Sequence, residues 1–280
     1  MELLKRNRNN RIMDLNGRKL TLDGKSKIMG IINLTPDSFS DGNDFWDPEK
    51  SLGQALLMER EGAHILDLGA ESSRPGHEII TVDEEIERLS NSLGNILKNV
   101  SIPISIDTWK HEVADFALKK GASLINDIYG LKKNPKLASV IAKYNAGVII
   151  MHNNDDKIYP KGLINEIIIS LKESIDIALN AGISKDKIIL DPGIGFAKDS
   201  EQNITVMQNL YQLKDLGFPL LLGVSRKSVI GSIVNVPPKE RLPGTIASTV
   251  LGIAQGYEIF RVHDVKENLQ AAIFADKILE

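Results

Sequence analysis

The sequence predicts a single (β/α)8 barrel, the TIM-barrel architecture, and three observations predict it. From Lys27 onward, short apolar runs rich in β-branched residues alternate with longer stretches of helical period. Eight of each fit into about 250 residues, the usual size of such a barrel. An open doubly wound sheet would want a Gly-rich phosphate turn after an early strand, and neither GxGxxG nor GxxxxGK(S/T) occurs there.

In chain order, residues 1–27 read as an N-terminal arm with a hairpin, and residues 28–280 as the barrel. Asn16-Gly17, set between Ile12-Met13-Asp14-Leu15 and Lys19-Leu20-Thr21-Leu22, is a two-residue turn signal, and the hairpin it makes could cap one end of the barrel. The eight strands are expected at 28–34, 64–70, 103–108, 124–128, 148–152, 188–193, 219–225 and 258–264. In the second helix Val82, Ile86, Leu89, Leu93 and Ile96 recur at steps of three and four, which places one apolar stripe on one face. Ile164, Ile167, Ile168, Leu171, Ile175, Ala178 and Leu179 do the same in the fifth. Gly62, Gly121, Gly147, Gly182, Gly217 and Gly256 follow helices and suit their C-terminal stops. No Ser/Pro/Gly linker or low-complexity stretch divides the chain.

Composition narrows the function. Of 280 residues, 42% are apolar and 25% charged, as in a folded globular protein. Thirty-four basic side chains against 37 acidic ones leave a net charge of −3, with no general drive toward nucleic acid or an anionic membrane. Residues 1–27 hold eight basic and three acidic side chains, a local +5, but no aromatic residue stands among them, so a solvated end is favoured over a nucleic-acid arm. The lack of cysteine excludes disulfides, thiolate metal sites and Cys nucleophiles and fits a cytoplasmic protein. No apolar run approaches the ~18 residues of a membrane span, and the polar N-terminus does not read as a secretory signal.

Catalytic groups of such a barrel project from the C-terminal ends of its strands. Here the expected strands end in Asn33; Glu71 to Arg74; Asp107-Thr108; Asn126-Asp127; Met151-His152; Asp191; Ser225 to Ser228; and Arg261 to Asp264. Buried polar groups without partners cost a few kcal/mol each, so eight at one mouth point to a site. Arg74, Arg226, Lys227, Arg261 and His263 form a cationic set, and the loops after the last two strands commonly hold phosphate. Asp264 with Glu267 reads as a capping box opening a helix whose N-terminus would add positive charge beside His263. A bound phosphate or pyrophosphate is therefore expected. Asp107, Asn126 and Asp191 suit a flat, guanidine-like heterocycle, because a carboxylate can accept two parallel N–H bonds, and Phe196 could stack on that ring. Any one Asp or Asn alone would more simply be a turn former or cap. His64, His77 and His111 lack metal-ligand spacing and read as ordinary core or surface residues; Trp46 and Trp109 read as packing, and Met29, Met58 and Met207 as core fillers.

Six motifs in order, Met29–Gly42, Gly69–Gly76, Ser105–Thr108, Asp191–Lys198, Gly223–Ser228 and Arg261–Asp264, resemble those of dihydropteroate synthases over residues 28–280. The resemblance implies a transferase of folate biosynthesis. It would join 4-aminobenzoate to (7,8-dihydropterin-6-yl)methyl diphosphate with Mg2+, giving 7,8-dihydropteroate and pyrophosphate. It implies that Asn33 ligates the Mg2+, and that Asn33, Ser73, Arg74, Arg261 and His263 hold the diphosphate. Asp107, Asn126, Met151, Asp191, Phe196 and Lys227 would bind the pterin, and Asp107, Arg74 and Lys227 carry the catalytic roles. Phe39, Ser40, Asp41, Arg74, Pro75 and Ser228 would form the 4-aminobenzoate pocket, with the long segments 35–47 and 71–82 folding over the site. Two features depart from the usual family pattern: Ser73 stands where Thr is frequent, and Asn153-Asn154-Asp155-Asp156 follow His152 where many members have Met-Arg/Gln-Gly. The resemblance also implies a homodimer, for which the apolar stretches 246–254 and 271–279 could supply the interface. Two other readings remain: a pterin-binding methyltransferase domain, which would not need the Ser-Arg-Lys-Ser and Arg-x-His anion set, and a non-catalytic pterin-binding paralogue.

Overall fold

The computed structural model describes residues 10–35, 48–72, 79–154 and 158–280. It opens with the expected hairpin, β1 (Arg11–Leu15) paired antiparallel with β2 (Arg18–Leu22). Asn16 and Gly17 both have positive φ, 51° and 86°, the backbone that matches a two-residue turn to the twist of its strands. Strict alternation turns Met13, Leu15, Leu20 and Leu22 to one buried face.

Eight parallel strands follow: β3 (Lys27–Asn33), β4 (Ile65–Gly69), β5 (Ile104–Asp107), β6 (Leu124–Asp127), β7 (Gly147–Met151), β8 (Ile188–Asp191), β9 (Leu221–Leu222) and β10 (Ile259–Val262). Each of β3 to β7 pairs with the next, β9 pairs with β10, and β10 returns to β3. The seam between β8 and β9 is closed by a bridge between Leu190 and Leu220, with the Leu190 N–H donating to the Pro219 carbonyl at 2.9 Å. Outside run α1 (Pro48–Arg60), α2 (Val82–Asn99), α3 (His111–Lys120), α4 (Lys136–Lys143), α5 (Leu163–Asn180), α6 (Ser200–Gln208), α7 (Ser228–Val234), α8 (Leu242–Ala254) and α9 (Val265–Leu279). Among the described residues no helix is long and apolar enough to cross a membrane.

The strands are apolar on both faces because both are covered. Residues facing out, such as Leu66, Leu68, Ile106, Ile125, Val148 and Phe260, pack against buried helix residues that include Leu89, Leu93 and Ile96 of α2 and Ile167 and Leu171 of α5. Residues facing in at the N-terminal end, Met29, Ile65, Leu124, Ile149, Ile189, Leu221 and Ile259, form a second cluster with Met13, Leu15, Leu20 and Leu22. The hairpin is thus the floor of the barrel. It is tied down by polar contacts to carbonyls in the last turns of two helices and the residues that follow them. Asn16 Nδ2 donates to Leu118 O (3.1 Å) and Ala122 O (2.8 Å) around the end of α3, and Arg18 donates to Leu97 O (2.7 Å), Val100 O (2.7 Å) and Ile102 O (2.5 Å) around and beyond the end of α2.

One expected helix stop is corrected. Asn145 (φ 52°) supplies the left-handed residue after α4, while Gly147 already lies in β7. A Cβ at Gly147 would stand 2.5 Å from Leu15 Cδ2 and 3.1 Å from Leu124 Cβ, so glycine there lets the floor approach the strand.

Candidate functional site

On seven strands the inward residue two places beyond the floor opens toward the mouth: Ile31, Asp67, Asn126, Met151, Asp191, Gly223 and Arg261 follow Met29, Ile65, Leu124, Ile149, Ile189, Leu221 and Ile259. With two residues per pleat, the chain climbs about 7 Å and on four of these strands, at Asp67, Asn126, Asp191 and Arg261, passes from apolar to polar. On β5 the inward positions are Ser105 and Asp107.

Arg261 lies across this layer. Its Nε donates to Asp67 Oδ2 at 2.6 Å and its Nη2 to Asp107 Oδ2 at 2.9 Å. Asn126 Nδ2 donates to the same Asp67 oxygen at 3.1 Å. One fully buried carboxylate therefore orients both a predicted pterin-binding amide and a predicted diphosphate-binding guanidinium. Burial would lower the Arg261 pKa, but Asp67 and Asp107 outweigh it and leave it raised. Burial pushes Asp107 up to about 7, against the pull of Arg261, with Asp67 adding to the rise. Asp67 Oδ1 and Ser105 Oγ, on register partners of β4 and β5, are buried without a hydrogen-bond partner among the described residues.

Across the mouth, Asp191 and Lys227 form a second charged pair. Burial raises the Asp191 carboxyl, opposed by Lys227; burial lowers Lys227 to about 8, opposed by Asp191. Lys227 Nζ donates to Ile194 O at 2.5 Å and stands 4.6 Å from the centre of the Phe196 ring. A Cβ at Gly223 would lie 3.7 Å from Asp191 Oδ2 and 3.8 Å from Arg261 Cβ, so that glycine separates the two charged groups. Three carboxylates, Asp67, Asp107 and Asp191, thus face two fixed cations, Arg261 and Lys227. The layer suits a ring edge rich in N–H donors or a group on which positive charge develops.

Asn33 ends β3 beside Gly69 of β4, its register partner, and a Cβ there would lie 3.7 Å from Asp107 Cβ. His263 is held by Ser225, whose Oγ is 2.9 Å from His263 Nδ1 and accepts the His263 N–H at 3.2 Å. Met151 is buried at the end of β7, and Ser228 is exposed at the first turn of α7. Phe39, Ser40, Asp41, Ser73, Arg74 and Pro75 lie outside the described residues.

Two readings of the mouth are corrected. Asp264 makes no side-chain cap on α9; its carboxylate instead takes Arg226 Nη2 at 2.5 Å and Nε at 3.0 Å. A guanidinium offering two parallel donors outcompetes a helix N–H for that carboxylate. Arg226 is thereby committed to Asp264 and leaves the expected cationic set.

Sequence reasoning missed three groups. Asp67 had a signal, an acidic residue inside the apolar run of β4. Lys110 and Glu85 had none, and Glu71 was read only as a strand-end residue: Lys110 Nζ donates to Glu71 Oε2 and Glu85 Oε2, both at 2.7 Å, and to Ile80 O at 2.8 Å, joining residues up to 39 positions apart. These bonds fix both ends of the segment that leaves β4. Lys198 closed one of the quoted motifs, yet no role was read for it; its buried Nζ reaches His152, Gly193 and Phe196.

Comparison with known proteins agrees with this geometry. Residues 29–263 match the family model described as pterin binding enzyme. The chain is 47% identical over 268 residues to the dihydropteroate synthase of Clostridium beijerinckii, covering 95% of this chain and 99% of that protein. It is 46% identical over 260 residues to that of Bacillus subtilis, with 93% and 91% covered. Among solved structures, a dihydropteroate synthase from Clostridium difficile in the presence of pteroic acid is 53% identical, with a TM-score of 0.88 over 91% of this chain and 97% of that one. A Xanthomonas albilineans dihydropteroate synthase with 4-aminobenzoic acid is 35% identical, with a TM-score of 0.91 over 96% and 98%.

Proposed function

The chain belongs to the dihydropteroate synthases among the pterin binding enzymes, and from that premise we propose how its mouth divides the work. The reaction is the condensation of (7,8-dihydropterin-6-yl)methyl diphosphate with 4-aminobenzoate to 7,8-dihydropteroate and pyrophosphate. The observation that carries the assignment of roles is the Asp67–Arg261–Asp107 bridge facing Asp191 and Lys227.

Asp107, Asn126 and Asp191 bind the donor edge of the pterin, with Met151 and Phe196 against its faces and Lys227 beside it. The C–O bond to the diphosphate breaks, the electron pair leaves with pyrophosphate, and a cation remains on the methylene, spread into the electron-rich ring. Asp107 and Asp191 stabilise that cation; Arg261 and His263, with Ser73 and Arg74, stabilise the leaving charge. The aryl amine then attacks the methylene and loses a proton. This sequence needs no protein nucleophile. His263, held through Nδ1 by Ser225, serves the anion and not a general-base step. Phe39, Ser40, Asp41, Arg74, Pro75 and Ser228 receive 4-aminobenzoate, and exclusion of water there protects the cation from capture as the alcohol.

No group of three or more His, Cys, Asp or Glu side chains suited to a metal occurs among the described residues. The donor chemistry at Asn33, a single carboxamide oxygen at the mouth, fits a hard cation that arrives with the substrate's phosphate oxygens. Asn33 would hold that Mg2+, which when bound adds positive charge to the leaving pyrophosphate.

A homodimer and a cytoplasmic setting complete the proposal. Exposed Val250 and Leu251 on α8 and Ile273, Phe274 and Ile278 on α9 support the first; the cysteine-free composition supports the second. The purified chain, given the dihydropterin diphosphate and Mg2+, is expected to release pyrophosphate and form dihydropteroate when 4-aminobenzoate is present. Pterin binding without product would transfer the assignment to methyl transfer or a binding paralogue.

A further inference from the structure

Between β8 and α6 the chain folds around one buried ammonium. Lys198 is 7% exposed, and its Nζ lies 3.0 Å from each of three acceptors: the Gly193 carbonyl, the Phe196 carbonyl and His152 Nδ1. Burial lowers the Lys198 pKa to about 7, opposed by Asp191; in its protonated form the lysine has three N–H donors, and the three acceptors satisfy it fully. Burial and the neighbouring Lys198 push the His152 pKa down to about 3, so its ring is neutral, and in the tautomer protonated on Nε2 its Nδ1 accepts from the Lys198 ammonium. His152 in turn directly follows β7, and its N–H donates to Asp191 O at 3.0 Å.

The local backbone does not favour this loop by itself. Gly193, Gly195 and Ala197 have φ of 71°, 82° and 49°, a region that costs the alanine about 1 kcal/mol or more. A Cβ at Gly193 would come within 2.0 Å of the His152 carbonyl oxygen, so the loop and the end of β7 are in direct backbone contact. Asn203 Oδ1 accepts the Gly195 N–H at 2.7 Å, and the Tyr159 hydroxyl donates to the Ala197 carbonyl. Lys227 takes the Ile194 carbonyl from the mouth side. Two ammonium groups therefore grip consecutive carbonyls of the loop, one at the mouth and one from behind it.

We propose that Lys198 is a positioning residue for the pterin site, its ammonium clamping the 193–198 loop to His152 so that Phe196 and the Ile194 carbonyl stand where the ring and Lys227 require them. The proposal rests on the reading of the mouth as a pterin site. It gives His152 a task that needs no contact with substrate. It also gives the buried cation a purpose: among the described residues Lys198 bonds to Phe196, assigned to the pterin, and to Gly193 and His152, near neighbours of Asp191 and Met151 in the chain.

The test is steady-state kinetics with each substrate varied in turn, supported by thermal unfolding. Lys198→Met keeps most of the stem and removes the donors. It is expected to raise KM for the dihydropterin diphosphate about tenfold or more, equivalent to ~1.4 kcal/mol, with KM for 4-aminobenzoate within about twofold. His152→Leu is expected to do the same, and the double variant to be no worse than the worse single one, since both break one clamp. His152→Gln, whose amide oxygen can accept from Lys198, is expected to recover most of the loss. A cooperatively folded Lys198→Met with unchanged pterin KM would overturn the clamp, as would additive effects of the two substitutions or equal shifts in both KM values. Should Lys198→Met fail to fold, the two His152 variants decide: equal KM for Leu and Gln would overturn it. Wild-type enzyme assayed in parallel separates the two claims, because absence of its product would remove the pterin reading itself.

Discussion

At the closed end of the barrel, Met29, Ile65, Leu124, Ile189 and Ile259 meet the hairpin in a packed apolar floor; two residues further along the same strands stand Ile31, Asp67, Asn126, Asp191 and Arg261. Below, each side chain is satisfied by its neighbours, and nothing is left for a ligand to supply. Above, charges answer one another incompletely: Arg261 is shared between two carboxylates, and Asp67 Oδ1 and Ser105 Oγ have no partner among the described residues. The same strands carry both conditions, separated by a single pleat. The floor is built for stability, and the layer above it keeps buried charge for use, as functional sites do at the expense of stability.

Substitutions at the two ends should therefore part activity from stability. The largest effect is expected at the mouth: Lys227→Ala should lower kcat/KM by about 10²- to 10³-fold with a smaller loss of stability than Arg261→Ala, since Lys227 donates to the Ile194 carbonyl and faces Asp191 without a hydrogen bond to it among the described residues. Arg261→Ala should lose comparable activity and in addition about 3 kcal/mol of stability, because buried Asp67 loses its cation. Denaturant unfolding beside steady-state assays distinguishes them; equal stability losses would erase the distinction within the mouth. At the floor, Leu15→Ala should cost about 3 kcal/mol and leave both KM values unchanged.

A smaller effect comes from two histidines, the half-buried His64 and the buried His152, one near each end. His64 accepts the Ile28 N–H at 3.1 Å at the start of β4 and is pushed down to about 4, first by burial and then by Lys27. His152 is pushed down to about 3. Both pKa values are depressed, so the stability each contributes is present above about pH 6.5 and is lost as pH falls toward the folded value. Asp107, raised to about 7, acts in the opposite sense and loses stability as pH rises from about 4 to 7. Comparing each variant with wild type isolates its share. His64→Gln should flatten the acid limb of the stability–pH curve by about 1–2 kcal/mol without altering pterin KM, whereas His152→Leu should move both. The smallest effect on folding is expected at Phe274, which is 70% exposed on α9. Phe274→Ser should change stability by less than about 0.5 kcal/mol and shift sedimentation toward monomer; an unchanged oligomeric state would remove α9 from the interface.

The barrel and its floor were legible because period and turn chemistry act locally. Asn16-Gly17 fixed the hairpin through two positive φ values, and the apolar stripe of α2 found its buried face at Leu89, Leu93 and Ile96. The mouth was legible as a set of strand-end residues but not as a set of bonds. Asp264 read as a helix cap by spacing alone, and it took the fold to bring Arg226 within 2.5 Å of it. Asp67 joined the site through Arg261, 194 positions away, and Lys110 joined Glu85 across 25. Ion pairs at such separations leave no periodic mark on a sequence.

The seam between β8 and β9 has a further meaning. β9 is only Leu221–Leu222, and the bridge of Leu190 to Leu220 is the link that closes the ring. The two lips of this seam continue upward into Asp191 on one side and Lys227 on the other. A molecule held by both groups spans the break, so occupancy and closure of the hoop share one free energy. The amides of Leu221 and Leu222 should exchange with deuterium faster than those of β4 in the empty protein and slow down when a pterin binds.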